Sequence, residues 1–196
     1  MKKTNSFRKV LLQVTLVTTV LLVASCSNTP KPADTKDVAE EHNNAKFDSN
    51  NQEKDAQFLV NAAEINLEQI MLGKLAQQIG RTSHVKDLGK MMEVEHSKSL
   101  AVLTVLAKTK MVTIPTSATD NAKDAYKVLN EKPATEFDKA YADMMVSEHK
   151  DAIAVFENAS TEADDMDIKN WATLSLIGLR AHLDSSIVCQ TKCDKK

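Results

Sequence analysis

Four segments of the chain carry residues spaced by alternating threes and fours, the interval at which side chains return to one face of an α-helix. From about Lys54 to Ile79 the stripe is Phe58, Ala62, Ile65, Gln69, Leu72, Ala76 and Ile79. From Thr82 or Ser83 to about Lys110 it is Val85, Gly89, Met92, His96, Ser99 and Leu103. Between about Thr135 and Ala159 it is Asp138, Tyr141, Met145, His149, Ala152 and Phe156, and from about Asp165 to Thr191 it is Trp171, Ser175, Gly178, His182, Ser185 and Cys189. Glycine and proline number four each and aromatic content is 4%, so strands have little support. The pattern predicts an all-α domain over residues 53–191, an up-and-down four-helix bundle with a short extra helix at about 118–130 between the second and third long helices. Residues 192–196 read as a polar tail.

Each stripe has a polar residue near its middle: Gln69, His96, His149 and His182. At 1.5 Å per residue the four fall within about two turns of one another if the 111–134 segment caps the end of the bundle. The chain also writes one motif twice, MMEVEHSKSLAVL at 91–103 and MMVSEHKDAIAVF at 144–156. In a helix this sets Met92 over His96 and Met145 over His149.

The amino terminus combines four basic residues and no acid with the apolar run VLLQVTLVTTVLLVA, as a secretory signal over residues 1–25 does. The run ends in Val23-Ala24-Ser25-Cys26, which resembles the lipobox of bacterial lipoproteins and marks Cys26 as the lipidated residue. Losing Lys2, Lys3, Arg8 and Lys9 leaves a chain more acidic than the −2 of the whole, which argues against nucleic acid as a partner. Residues 26–52 are polar and nearly free of large apolar side chains, and read as a disordered tether behind the anchor. These features predict a protein of the bacterial cell envelope, on the outer membrane and facing the periplasm, with the membrane as its partner through the lipid.

The stretches FLVNAAEINLEQIMLGKLAQQ, VKDLGKMMEVEHSK, FDKAYADMMVSEHKDAIAVFE and LIGLRAHLD, in this order, resemble the bacterial family called domain of unknown function 4142. That resemblance implies a ferritin-like domain and an outer-membrane address, and no reaction. The family's pattern falls on Glu68 or Gln69, Glu95-His96, Phe137-Asp138, Tyr141, Met145, His149, Leu176 and His182. Ile177 stands where the family has proline, so the fourth helix need not kink.

Two readings of the inward histidines stand open. In one, His96, His149 and His182, with Met92, Met145 and Glu68 as further candidate ligands, hold a transition metal such as copper, zinc or iron. In the other they form a hydrogen-bonded network with neutral rings that locks the helix register, served by Glu95, Asp138, Tyr141 and Gln69. A carboxylate-bridged di-iron centre needs Glu-x-x-His on two helices, and only Glu93-x-x-His96 fits. Cys189 and Cys193 lie one turn apart and read as a local disulfide, a soft-metal clip or a thiol pair. His42 and His84 read as solvent-facing. No Gly-rich phosphate loop, nucleophile elbow or zincin motif is present, so the chain reads as a binding module or a structural lipoprotein more than an enzyme.

Overall fold

The computed structural model describes residues 32–195. The signal segment and Cys26 lie outside them. The described residues hold six helices and no strand: α1 Thr35–Asn44, α2 Asn50–Ile79, α3 Ser83–Thr109, α4 Asp120–Asn130, α5 Ala134–Glu162 and α6 Met166–Asp194. No helix among them is long and apolar enough to cross a membrane. The four long helices are α2, α3, α5 and α6, packed as a helical bundle, and α4 is the short helix expected between α3 and α5.

Helices α2 and α3 form one hairpin, α5 and α6 another. Buried carboxylates tie each hairpin to the other's turn. Asp138, in the first turns of α5, accepts from the backbone N–H groups of Arg81 at 2.8 Å and Thr82 at 3.0 Å, and from the Thr82 hydroxyl at 2.7 Å. Asp55, in the first turns of α2, accepts from the N–H groups of Asp164 at 3.2 Å and Asp165 at 2.8 Å. Each acid satisfies donors that a helix-to-helix turn would leave bare. Asp165 in turn caps α6 by accepting from Asp167 and Ile168.

Within the first hairpin the backbones of α2 and α3 come together at two glycines. A Cβ on Gly73 would stand 2.6 Å from the Gly89 carbonyl oxygen, and one on Gly89 would stand 2.7 Å from that of Gly73. One half of the core gathers Phe58, Leu59, Leu103, Phe156, Ile168, Ala172 and Leu176; the other gathers Leu72, Leu75, Val85, Met92, Phe137, Tyr141 and Met145. The histidines lie where the halves meet.

Three expectations are corrected. The stretch read as a disordered tether contains α1, because its polar groups find partners on the segment before α4. Asn43 donates to the Thr113 carbonyl and accepts from the Thr113 N–H, both at 2.8 Å, while Lys36 pairs with Glu64 of α2 at 2.6 Å. Asp34 accepts from the N–H groups of Lys36 and Asp120. Second, residues read as a polar tail continue α6 through Asp194, whose carboxylate pairs with Lys139 of α5 at 2.6 Å. Third, the buried stripe of α6 runs through Ile168, Ala172, Leu176, Leu179, Ser186 and Cys189; Trp171 and Ser175 are half-buried and Gly178 is exposed.

The glycine contact gives a paired prediction. Gly89→Ala forces a methyl against backbone and lowers stability by about 1–3 kcal/mol. Gly178→Ala, where nothing lies within 4 Å, raises it by about 0.5–1 kcal/mol through helix propensity. Urea midpoints of the two variants, moving in opposite directions at unchanged slope, check both.

Candidate functional site

Helices α3, α5 and α6 each send one imidazole to a common point. Ring centroids of His96 and His149 are 5.6 Å apart, those of His96 and His182 5.0 Å, and those of His149 and His182 5.5 Å. One nitrogen of each ring lies within 4.8 Å of the others. His96 and His149 are buried, and His182 is half-buried with its Nδ1 shielded from solvent and without a hydrogen-bond partner.

Outer partners fix the tautomers. The Asn66 side-chain amide donates from Nδ2 to the Ala62 carbonyl at 2.7 Å, which turns its Oδ1 toward His96. That oxygen accepts from His96 Nδ1 at 3.0 Å. His149 Nδ1 donates to the Met145 carbonyl at 2.8 Å, the turn of α5 just below it. Both rings therefore carry their proton on Nδ1 and present a bare lone pair at Nε2. The two Nε2 atoms face each other at 3.4 Å.

Burial keeps the rings neutral. It holds His96 well below the usual imidazole range, with His149 and His182 pushing the same way. Burial also lowers His149, to about 4 despite its bond to Met145, and lowers His182 as well. Three protonated rings here would repel at short range in a weakly screening interior. A groove of about 380 Å³, bounded by Glu95, Ser99, Val102, Leu174 and Gly178, leads from the surface to His96, His182 and Asn66.

The other sequence candidates go elsewhere. Met92 and Met145 are fully buried in the core half that holds Tyr141, each one turn before its histidine. Asp138 caps the α2–α3 turn, and Tyr141 stacks on Phe137 at 6.0 Å with its hydroxyl unpartnered, burial raising its pKa. Glu95 points along the surface to Lys98 at 2.8 Å. Gln69 donates to Glu148 at 2.6 Å, and Glu68 shares a hydrogen bond with the same carboxyl. The residue of α2 that meets the imidazoles is instead Asn66, which lies four residues after Ala62, a helical step as open to the sequence as the one to Ile65.

Cys189 and Cys193 are thiols, and α6 runs regularly through both. His84 is half-buried beside them, not solvent-facing, while His42 is exposed as expected.

Glu148 and Glu68 are two carboxyls in one partly dry position. Burial and then the neighbouring Glu68 raise Glu148 to about 9, and burial raises Glu68. A carboxyl raised in the folded state binds more protons there than in the unfolded chain, so its contribution to stability is full below about 4.5 and is lost as pH rises through about 9. Glu148→Gln keeps the donor toward Glu68 and the acceptor for Gln69 without the charge. Denaturant unfolding at pH 8 should find the variant more stable than the parent by about 1–3 kcal/mol, the difference shrinking toward pH 5.

No curated protein and no solved structure matches the chain. A family model described as Domain of unknown function (DUF4142) matches residues 40–186, from within α1 to within α6. The match takes in Asn66 and all three converging histidines, and it spans well over half of the sequence. The chain belongs to the DUF4142 family.

Proposed function

We propose that His96, His149 and His182 bind one transition metal ion, and that the protein is a metal-binding module tethered to the bacterial envelope by lipid on Cys26. One observation carries the metal reading: two buried Nε2 atoms face each other at 3.4 Å while the Nδ1 atoms of both rings donate outward. Nitrogens bound at about 2.0–2.1 Å to a tetrahedral ion lie about 3.3–3.4 Å apart, so the spacing suits two ligands of one cation. Nδ1–H groups donating to a side-chain amide and a backbone carbonyl are the outer partners that orient metal-binding imidazoles. Three neutral imidazoles suit zinc, copper or iron, and the thioethers of Met92 and Met145 one turn away would favour copper(I) if either turned inward. Glu95 at the groove's mouth adds a negative charge on the path of an incoming cation.

The competing reading is a register lock in which the imidazoles only bond one another. A bond made directly between the facing Nε2 atoms would need a proton there, hence a buried imidazolium, against which burial acts in all three rings. Titration of zinc(II), copper(I) and iron(II) into protein carrying Cys189→Ser and Cys193→Ser separates the readings. One equivalent binds the parent of this series, and His149→Ala weakens it at least about 100-fold, while the exposed His42→Ala changes nothing. Equal, weak binding by parent and His149→Ala leaves the register lock.

The envelope address rests on the basic, acid-free amino terminus and the Val-Ala-Ser-Cys sequence that closes the apolar run. Cys26→Ala should move the protein from the membrane fraction to the soluble fraction. Unchanged fractionation would mean that another feature holds it.

A further inference from the structure

A second group of metal-ligating side chains lies further along α6, away from the imidazole cluster. His84 stands in the first turn of α3, and Cys189 and Cys193 occupy successive turns near the end of α6. One ligand atom of each lies within 4.8 Å of the other two. Cys193 Sγ is 3.5 Å from His84 Nε2, and Cys189 Sγ is 3.8 Å from the His84 carbonyl oxygen. From these positions we propose that His84, Cys189 and Cys193 form a second metal site, for a thiophilic ion such as zinc(II) or copper(I).

Three features support it. Zinc–sulfur and zinc–nitrogen bonds of about 2.3 and 2.0–2.1 Å, at a tetrahedral angle, set sulfur and nitrogen about 3.5–3.6 Å apart, the spacing found between Cys193 and His84. The ligands come from two helices whose relative height is fixed locally: Asp138 holds the turn before α3, and the Cys193 thiol donates to the Asp138 carbonyl at 3.6 Å. Finally, α6 is regular through both cysteines, and adjacent turns of a regular helix do not present sulfurs in disulfide geometry. An ion bridging two thiolates tolerates that spacing where an S–S bond would distort the helix.

Binding has a defined proton balance. Without metal the Thr82 hydroxyl donates to Asp138, so its oxygen accepts from His84 Nε2 at 3.2 Å and the ring carries its proton there. Metal entry moves this proton to Nδ1, frees Nε2 as a ligand and releases both thiol protons to solvent. Two thiolates and one imidazole then bind the ion, with water completing a tetrahedral zinc. The imidazole cluster, already neutral, releases none.

The test uses the full chain with Cys26→Ser, in which Cys189 and Cys193 are the only thiols, in reductant. Cobalt(II) serves as the spectroscopic stand-in for zinc(II), and copper(I) is titrated separately. Thiolate-to-cobalt charge-transfer absorption should grow to one equivalent and disappear on adding zinc(II). It should persist in His149→Ala, which separates this site from the imidazole cluster. Cys189→Ser should abolish it, and His84→Gln should weaken affinity at least about 100-fold. Absence of the band, or its survival in Cys189→Ser, overturns the site. So does finding Cys189 and Cys193 cross-linked in cells quenched with an alkylating agent.

Discussion

Two buried aspartates set the frame on which everything else hangs. Asp55 and Asp138 each sit near the start of a hairpin's first helix and hold the two backbone N–H groups that follow the opposite hairpin's first helix. Apolar packing between helices is non-directional, and a core accepts hydrophobic changes of conserved volume at small cost. A carboxylate accepting from two consecutive backbone donors is directional. It fixes the height of one helix pair against the other. The convergence of three imidazoles partway along the bundle depends on that height.

The clamps also disclose a symmetry. The same sequence spacing separates Asp55 from Asp138, Arg81 from Asp164 and Thr82 from Asp165, so the two hairpins correspond element by element. That spacing carries Asn66 of α2 onto His149 of α5. The position that supplies an imidazole from one hairpin thus supplies, from the other, the amide that orients His96. The conspicuous sequence repeat, Met-Met with Glu-His, relates α3 to α5 instead. It crosses the hairpin correspondence, and reflects two helices meeting the same local demand: a buried thioether one turn before a buried imidazole.

What the sequence disclosed follows from how each feature is enforced. Apolar stripes reveal whatever is held by burial, and they located four long helices with His96, His149 and His182 on inward or nearly inward faces. Asn66 was hidden because two steps lead inward from Ala62, to Ile65 or to Asn66, and hydrophobicity favours the wrong one; Ile65 is half-buried and Asn66 is buried. Helix α1 escaped because it is held by Asp34, Lys36 and Asn43 bonding to residues far along the chain, a pattern that composition reads as disorder. His84, at a helix start, reads as solvent-facing in the sequence. Its surroundings come from the far end of α6, about a hundred residues later, and no local pattern reports them.

The cost of the imidazole cluster bears on its purpose. A hydrophobic trio of similar volume would pack the same space without desolvating six ring nitrogens, and replacing buried polar groups by apolar ones is often neutral or stabilising. If fixing helix register were the whole benefit, the aspartate clamps already provide it at the bundle's ends. A hydrogen-bonded network would also need each acceptor to meet a donor, and here the outer partners consume the protons of His96 and His149 on the sides that face away from each other. The inner sides of these two rings are left with lone pairs directed at one another, which disfavours a direct bond between them and suits the cation proposed above. On the metal-binding reading proposed above, Asn66 and the Met145 carbonyl do more than satisfy two N–H groups: by choosing the tautomers, they would preorganise His96 and His149 as ligands.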